Sequence, residues 1–290
     1  PLEVVVVDDC STDNTLAIVR SLNDPRVVCL STGRNSGVAA ARNVGVRAAR
    51  FDWLAFNDQD DVWCPDRLEK QVALLRQVTG AIGVAGGAVR LAADGRSAWT
   101  GRFLGFRWTP TLDLKLSDPP FYDPIRDGVS YLQTLIIARP IALCAGGFNE
   151  GLPLADDVDF AMKCARLGRM CWLAEPVFLY RLGHHNQTAP SVAKADTFIA
   201  AQAYVYAAHA ARMAGEPEPD VGAFMKAYRP SQSQYTDFEM RQKIRYINTV
   251  WVYKGLWQAV LAGVKVFLGH PWLFSRHLSE RVRYWMRRAG

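Results

Sequence analysis

The chain has 290 residues, half of them hydrophobic, and a formal net charge of +6. That length suits one large α/β domain plus a smaller appendage, and nothing in it is repetitive, low-complexity or collagen-like. The six cysteines, Cys10, Cys29, Cys64, Cys144, Cys164 and Cys171, form no CxxC pair; this argues against a zinc site and a disulfide framework and points to a reducing, cytoplasmic compartment.

Residues 2–7 are, but for Glu3, an apolar and β-branched run, which reads as a strand buried on both faces of a parallel sheet. The run starts directly after Pro1 with no signal peptide, so the true N-terminus is expected upstream. Asp8 and Asp9 end it, and a helix follows to about residue 22 with Ser11 as its N-cap. A second strand spans 27–30, Asn35-Ser36-Gly37 makes a turn, and an Ala-rich helix spans 38–50. A third strand over 53–56 ends in Asn57-Asp58-Gln59-Asp60-Asp61, and a helix with Pro65 in its first turn runs to about 78. Strands alternating with helices at this spacing predict βαβ units, and ligands of such sheets bind beyond the carboxyl ends of the strands. Both acidic clusters are therefore expected at one edge of the sheet.

Further along, 82–91 reads as a strand, 92–128 as loops over the site, and 131–138 as a strand. A turn at 146–149 precedes a helix over 156–167 closed by Gly168, then short strands at 171–173 and 177–180. From about residue 191 the pattern is mostly helical, with a break at Glu216-Pro217-Glu218-Pro219. The expected organisation is a domain over 1–190 and a helical region over 191–290. No apolar run reaches the roughly 20 residues of a membrane span. Residues 247–268 come nearest, but Lys254 and Lys265 interrupt them. On one helix these lysines and Gln258 share a narrow polar stripe, which suits either a membrane interface or packing against the domain. The last fifteen residues carry Arg276, Arg281, Arg283, Arg287 and Arg288 against Glu280 alone. Such a tail is either a solvated helix end or a match for an anionic surface, phospholipid or nucleic acid.

Five clusters carry chemistry. Asp58-Gln59-Asp60-Asp61 at a strand end crowds carboxylates that need a cation or a proton to coexist; a hard divalent ion bridging to phosphates fits. Asp8-Asp9 with Ser11 and Asp13 can accept from a base N–H or a ribose hydroxyl, or can simply cap a helix. In Asn35-x-Gly37-x4-Arg42-Asn43-x-Gly45, the glycines permit a tight turn and close helix packing, and Arg42 is in reach of a base or phosphate. Asp156-Asp157-x-Asp159 has more acids than a helix start needs, and one of them suits a general base for a hydroxyl. Tyr180-Arg181-x2-His184-His185-Asn186 offers two adjacent histidines for a metal or diphosphate contact.

In this order and spacing the clusters resemble the family 2 glycosyltransferases of GT-A fold over about residues 2–190. Residues 3–15 are similar to that family's strand ending in DDxSxDxT, 35–45 to its NxGxxxARNxG helix, and Asp58 to Asp66 to its DxDD-x-W-x-P segment. The form DQDDVW is similar to that of bacterial members acting on cell-surface polysaccharides, rhamnosyltransferase-like ones included. Gly146-Gly147-Phe148-Asn149-Glu150 resembles the GGFDE loop, and Asp156-Asp157-x-Asp159-Phe160 the EDxDL motif. The resemblance implies a GT-A domain, Rossmann-like, with a mostly parallel sheet and a helical C-terminal extension. It implies that Asp8, Asp9, Ser11, Asn35, Gly37, Arg42, Asn43, Asp58, Gln59 and Asp156 contact a nucleotide-diphosphate sugar. It also implies Asp58 and Asp60, with His184 and His185, at Mn²⁺ or Mg²⁺, and Asp157 as the base of an inverting displacement.

The implied acceptor is a glycan or lipid-linked glycan, met in the cytoplasm or peripherally at the inner face of the plasma membrane, where an anionic surface is a further partner. Nucleic acid is not an expected partner. Three departures stand out: the family's opening VSVVIPTYN strand has no counterpart, Asp156 replaces Glu, and Gly183 stands where YRxHxxN has His. Two rival readings remain. A signalling receiver domain shares the strand-end acids but leaves Asp60-Asp61 and Asp156-Asp157 unexplained; a catalytically inactive nucleotide-binding relative shares every motif.

Overall fold

The computed structural model describes residues 1–91, 97–98, 121–122, 132–181, 194–254, 256–272 and 274–275. Strands β1 (Val4–Asp8) and β2 (Val27–Ser31) pair in parallel, joined by helix α1 (Thr15–Ser21). A second sheet holds β3 (Trp53–Ala55), β4 (Val62–Trp63), β5 (Ala81–Leu91), β6 (Ser97–Ala98), β7 (Phe121–Tyr122), β8 (Ile136–Ala138) and β9 (Arg169–Arg181). Its order is β3-β8-β5-β9-β4, with β6 on β5 and β7 on β9. Helices α2 (Val38–Ala48), α3 (Arg67–Gln77), α4 (Arg139–Cys144) and α5 (Asp156–Ala165) flank the sheets.

The α/β architecture matches the expectation, but the sheet is mixed rather than mostly parallel. Among the described residues, β1 with β2 and β5 with β9 run parallel and the other pairs are antiparallel. An apolar run does not fix strand direction, and β8 enters between β3 and β5 against both; nor is the β1 run buried on both faces as expected, its valines being exposed or half-buried. The two short strands expected at 171–173 and 177–180 are one strand, β9. Its ladder with β5 slips where Gly86 and Gly87 face Leu173 and Pro176, so Pro176 marks an irregularity inside a strand and not its end. The strand expected over 131–138 starts only at Ile136, because Leu132–Thr134 form a 3₁₀ turn. Ser11 does not cap α1. Asn14 stands at the cap, while the Ser11 N–H donates to the Asp8 carboxylate at 3.2 Å and Asp13 accepts from the Thr15 N–H at 3.0 Å.

The main core lies between α2, α4 and α5 and the second sheet. Ile137, Phe160, Cys164 and Trp172 are essentially without exposure, and the Phe148 and Phe160 rings stack with centroids 4.1 Å apart. Helix α6 (Ala195–Ala214) extends this body: its Ala201, Tyr204, Val205 and Ala208 bury Leu152 and Met162 beside α5. It ends at Gly215 in a left-handed turn, with the Glu216 N–H donating to the Ala211 carbonyl at 2.9 Å. The expected break at 216–219 follows. The expected boundary at 190 falls outside the described residues.

Helices α7 (Val221–Ala227), α8 (Gln232–Lys254) and α9 (Leu256–Gly269) complete the described chain. The single polar stripe expected over 247–268 is split: Lys254 ends α8, while Gln258 and Lys265 lie on α9. Among the described residues no helix is long and apolar enough to cross a membrane.

Candidate active site

The site is organised by α2, which spans from one sheet to the other. At its N-terminus the Asp9 carboxylate gathers the 35–37 turn. One oxygen accepts from the Ser36 N–H at 2.9 Å and the Thr32 hydroxyl at 2.7 Å, and the other from the Gly37 N–H at 2.8 Å. Burial works to raise its pKa, but these donors outweigh it and hold Asp9 below the usual carboxylate range. Gly37 has φ +89°, a conformation that favours glycine, so the turn into α2 depends on it. Asp8 is buried, whereas Ser11 and Asn35 are exposed.

One turn into α2, Arg42 links two acidic motifs. Its guanidinium donates at 2.9 Å to Asp58 after β3 and at 2.9 Å to Asp156 at the start of α5. Its Cζ lies 5.5 Å from the centre of the Phe148 ring. The sequence pointed Arg42 at a base or phosphate; here it joins the strand-end acids to the acids of α5. The second Asp58 oxygen accepts from the buried Gln133 amide. Asn43, expected at the nucleotide, is a structural staple instead. Its Nδ2 donates to the Phe148 carbonyl at 2.9 Å and to Glu150 at 2.8 Å, and its oxygen accepts from the Phe148 N–H at 2.8 Å. A buried amide so engaged has no donor left for a ligand. It also explains Gly147, where a Cβ would come within 2.4 Å of the Asn43 oxygen.

The acidic loop is anchored on both sides. The Arg181 N–H donates to Asp61 at 2.9 Å, and the Arg181 guanidinium to the Asp60 carbonyl at 3.0 Å. Burial, assisted by the Asp60 and Asp58 charges, pushes Asp61 up to about 7 against the Arg181 N–H. Gln59 and the Asp60 side chain are exposed. Beneath the loop, Arg67 is fully buried, and among the described residues no carboxylate pairs with it. Its guanidinium lies 4.1 Å from the Trp63 ring centre and donates to Gln71 at 2.9 Å and to the Leu135 carbonyl at 3.3 Å. Sequence reasoning missed both Gln133 and Arg67. The only signal was a polar or charged residue in a stretch that otherwise reads as apolar strand or as exposed helix start.

Asp157 starts α5 beside Asp156. Burial, with the Asp156 charge, pushes it up to about 6, while the Arg42 guanidinium pulls it down. Just before it Ala155 is left-handed, φ 62° and ψ 21°, an uncommon state for a residue with a Cβ. Asp159, grouped with these acids by sequence, faces away from them. It has no exposure and is bound by Arg212 of α6 at 2.7 Å and Lys163 at 3.1 Å. Arg212 in turn holds Glu218 at 2.7 Å. His184 and His185 lie outside the described residues, and among the described residues no three His, Cys, Asp or Glu side chains converge as a ligand set.

The family described as glycosyl transferase family 2 matches residues 1–123. A succinoglycan biosynthesis protein, ExoO, of Rhizobium meliloti is 51% identical over 71 residues, 24% of this chain and 20% of that protein. An Escherichia coli protein, the UDP-Glc:alpha-D-GlcNAc-diphosphoundecaprenol beta-1,3-glucosyltransferase WfaP, is 34% identical over 71 residues, 24% of this chain and 28% of that one. These matches span less than a third of each relative's length. Among solved structures, the mannosyltransferase PcManGT of Pyrobaculum calidifontis, in complex with GDP-Man and Mn²⁺, superposes with a TM-score of 0.53 at 19% identity. That likeness covers 99% of this chain and 76% of that one, and it shows the fold. Residues 1–123 thus match the model of that family, and the chain shares the GT-A fold of this solved structure.

Proposed function

We propose that the chain is an inverting glycosyltransferase that moves a sugar from a nucleotide-diphosphate sugar to a hydroxyl of a glycan or lipid-linked acceptor during cell-surface polysaccharide synthesis. The observation that carries this reading is the Arg42 bridge. It fixes the strand-end acids and the start of α5 on one side of the molecule, each within 2.9 Å of one guanidinium. A phosphate-facing acidic loop and a separate carboxylate for a hydroxyl are then neighbours, as a single displacement requires. The E. coli relative supplies the class of substrates by its name, a UDP-sugar donor and a diphosphoundecaprenol-linked acceptor.

In this reading the Asp157 carboxylate takes the proton of the acceptor hydroxyl. The oxygen forms its bond to the anomeric carbon as the bond to the diphosphate breaks, and the configuration inverts. A base raised to about 6 is better matched to a hydroxyl at neutral pH than an ordinary aspartate. Asp9 and Gly37 shape the turn where the nucleoside binds, and Asp8, Ser11 and Asn35 border it. Asp58 and Gln59 face the diphosphate side.

The acidic loop would offer carboxylates to Mn²⁺ or Mg²⁺, hard ions that take oxygen ligands and whose charge would offset that of Asp58, Asp60 and Asp61. Asp60, which is exposed, and Asp58, which also meets Arg42, would hold the ion, and His184 and His185 are the further candidates from the sequence. When bound, such an ion would supply positive charge beside the leaving diphosphate. The setting is cytoplasmic, at the membrane face where lipid-linked acceptors are met.

The test is donor turnover by the full chain across UDP-, GDP- and dTDP-sugars, with and without Mn²⁺. Metal-dependent turnover of one donor, lost in Asp60→Ala and reduced about 10²–10⁴-fold in Asp157→Asn, is the expected result. A folded chain that neither turns over nor binds any of these donors sinks the proposal.

A further inference from the structure

We infer that the exposed face of α9 docks on an anionic phospholipid surface. The helix packs against α8, and its Gly263 is buried. Away from Gly263 stand Leu261, 62% exposed, Val264, 47%, and Leu268, 72%. At about 100° per residue these three fall within an arc of roughly 60°. Three large apolar side chains aligned on one outward arc are more than scattered surface hydrophobics. Lys265 and Gln258, both exposed, flank the arc. Trp272, also largely exposed, follows the helix end. An apolar strip with a lysine beside it is the layout of a helix lying in the headgroup region, the lysine stem along the acyl boundary and its ammonium at the phosphates.

Charge selects the occupant. From Met240 to the last residue the sequence has ten Lys and Arg and one acid, Glu280. A second copy of the chain would set one such excess of cations against another, Lys265 near Lys265, and like charges oppose that pairing. An anionic bilayer neutralises them, each basic side chain near the surface adding to the attraction. Insertion across the bilayer is not what the face offers, since no described helix is long and apolar enough. Docking here goes beyond sugar transfer and would hold the chain beside lipid-linked substrates.

The experiment is co-flotation of the full chain with vesicles of equal parts phosphatidylglycerol and phosphatidylcholine, and with phosphatidylcholine alone, with no donor present. Binding to the anionic vesicles is expected to fall with added salt and to be about tenfold weaker on neutral ones. Leu261→Glu and Leu268→Glu should each weaken it about tenfold without changing helix content or melting temperature, both positions being exposed. Lys265→Glu should weaken binding to anionic vesicles and not to neutral ones. No binding of the folded chain to anionic vesicles overturns the proposal, as does binding that both leucine variants leave intact. A concentration-dependent dimer dissolved by those variants also overturns it, and gives the face to a second copy. Because no donor is used, failure here leaves the transfer reading standing, and failure of turnover leaves docking standing.

Discussion

Residues 1–31 and residues 132–178 each supply part of the candidate site, but they are built differently. In the first stretch no apolar side chain is buried: Val4, Ile18 and Leu22 are exposed, and α1 buries nothing. In the second, Ile137, Phe160, Cys164 and Phe178 reach zero exposure. Both stretches are rich in valine, leucine and isoleucine, so composition does not separate them. The difference is the number of layers. A two-stranded parallel sheet covered by α2 lacks the partners that five or more strands and three helices give each other. The first stretch is held largely by polar ties, such as the three bonds to Asp9 and the Glu3–Arg50 ion pair at 2.7 Å. Residues 1–31 are therefore expected to open locally at lower cost than residues 132–178.

Paired truncations test that contrast most sharply. Phe160→Ala should cost about 3–5 kcal/mol, since the ring is fully buried and stacked on Phe148. Ile18→Ala should change stability by less than about 0.5 kcal/mol. Denaturant unfolding of both variants is the measurement, and similar losses would erase the distinction. The next largest effect is expected from Arg212→Met, which leaves the fully buried Asp159 with Lys163 alone. Removing one partner of a buried ion pair costs about 3–5 kcal/mol. The loss should be near the lower figure, because Lys163 remains and Glu218 is part-exposed. Cooperative loss of α5 and α6 together, followed by amide exchange, would show that α5 and α6 are one body; loss confined to α6 would separate them.

Asp9→Ala should cost about 0.5–1.5 kcal/mol, the net worth of its hydrogen bonds, since the Ser36 and Gly37 donors are exposed to water and the Thr32 hydroxyl also reaches the Arg34 carbonyl. Exchange of the Ser36 and Gly37 amides should quicken while that of Ile137 and Phe160 stays unchanged. Spread of the effect to the second sheet would mean that the two stretches are more strongly coupled than their packing shows.

A pH profile probes the acceptor side. Asp157 must be ionised to take a proton, so transfer should fall about tenfold per pH unit below about 6. Arg42→Gln should move that inflection to higher pH, because the guanidinium is the charge that pulls Asp157 down. For stability the sign is reversed from that of a salt-bridged aspartate. A carboxylate raised from 3.8 opposes folding when ionised, so the cost is fully present above about 6 and is relieved as the pH falls toward 3.8. An inflection that Arg42→Gln leaves in place would assign it to another group.

What the sequence made legible is what local patterns carry: the strands that end in Asp8 and before Asp58, the helices that become α2, α3 and α5, and the break after α6. These depend on runs, caps and glycines within a few residues. Strand direction did not emerge, because β8 and β5 meet only through residues far apart in the chain. Nor did the partners of single polar groups. Arg42 meets Asp156 across 114 positions, Asn43 meets Phe148 across 105, and Gln133 meets Asp58 across 75. The grouping of Asp159 with Asp157 shows the same limit. Two positions apart on a helix they point about 200° away from each other, and only the arrival of α6 decides that one of them is buried against an arginine.

The smallest effect expected is at Ala155, where local strain meets the acceptor side. A left-handed alanine costs about 1–2 kcal/mol, which glycine would remove. Glycine would also add about 0.5–1 kcal/mol of backbone entropy to the unfolded chain and lose the methyl that packs beside Leu152 and Met162. The net for Ala155→Gly is a gain of about 0.5 kcal/mol. Among the described residues, Cys10, Asn23 and Ala155 are the non-glycine positions with positive φ, and two of the three adjoin acidic motifs of the site. Strain concentrated there fits a backbone held to aim carboxylates, at some loss of stability. Ala155→Gly should therefore melt slightly higher and transfer more slowly, because the freed hinge no longer fixes the direction in which Asp157 leaves the helix start. Equal turnover in the more stable variant would make the strain incidental, whereas lower stability would mean that the methyl contact outweighs the left-handed cost.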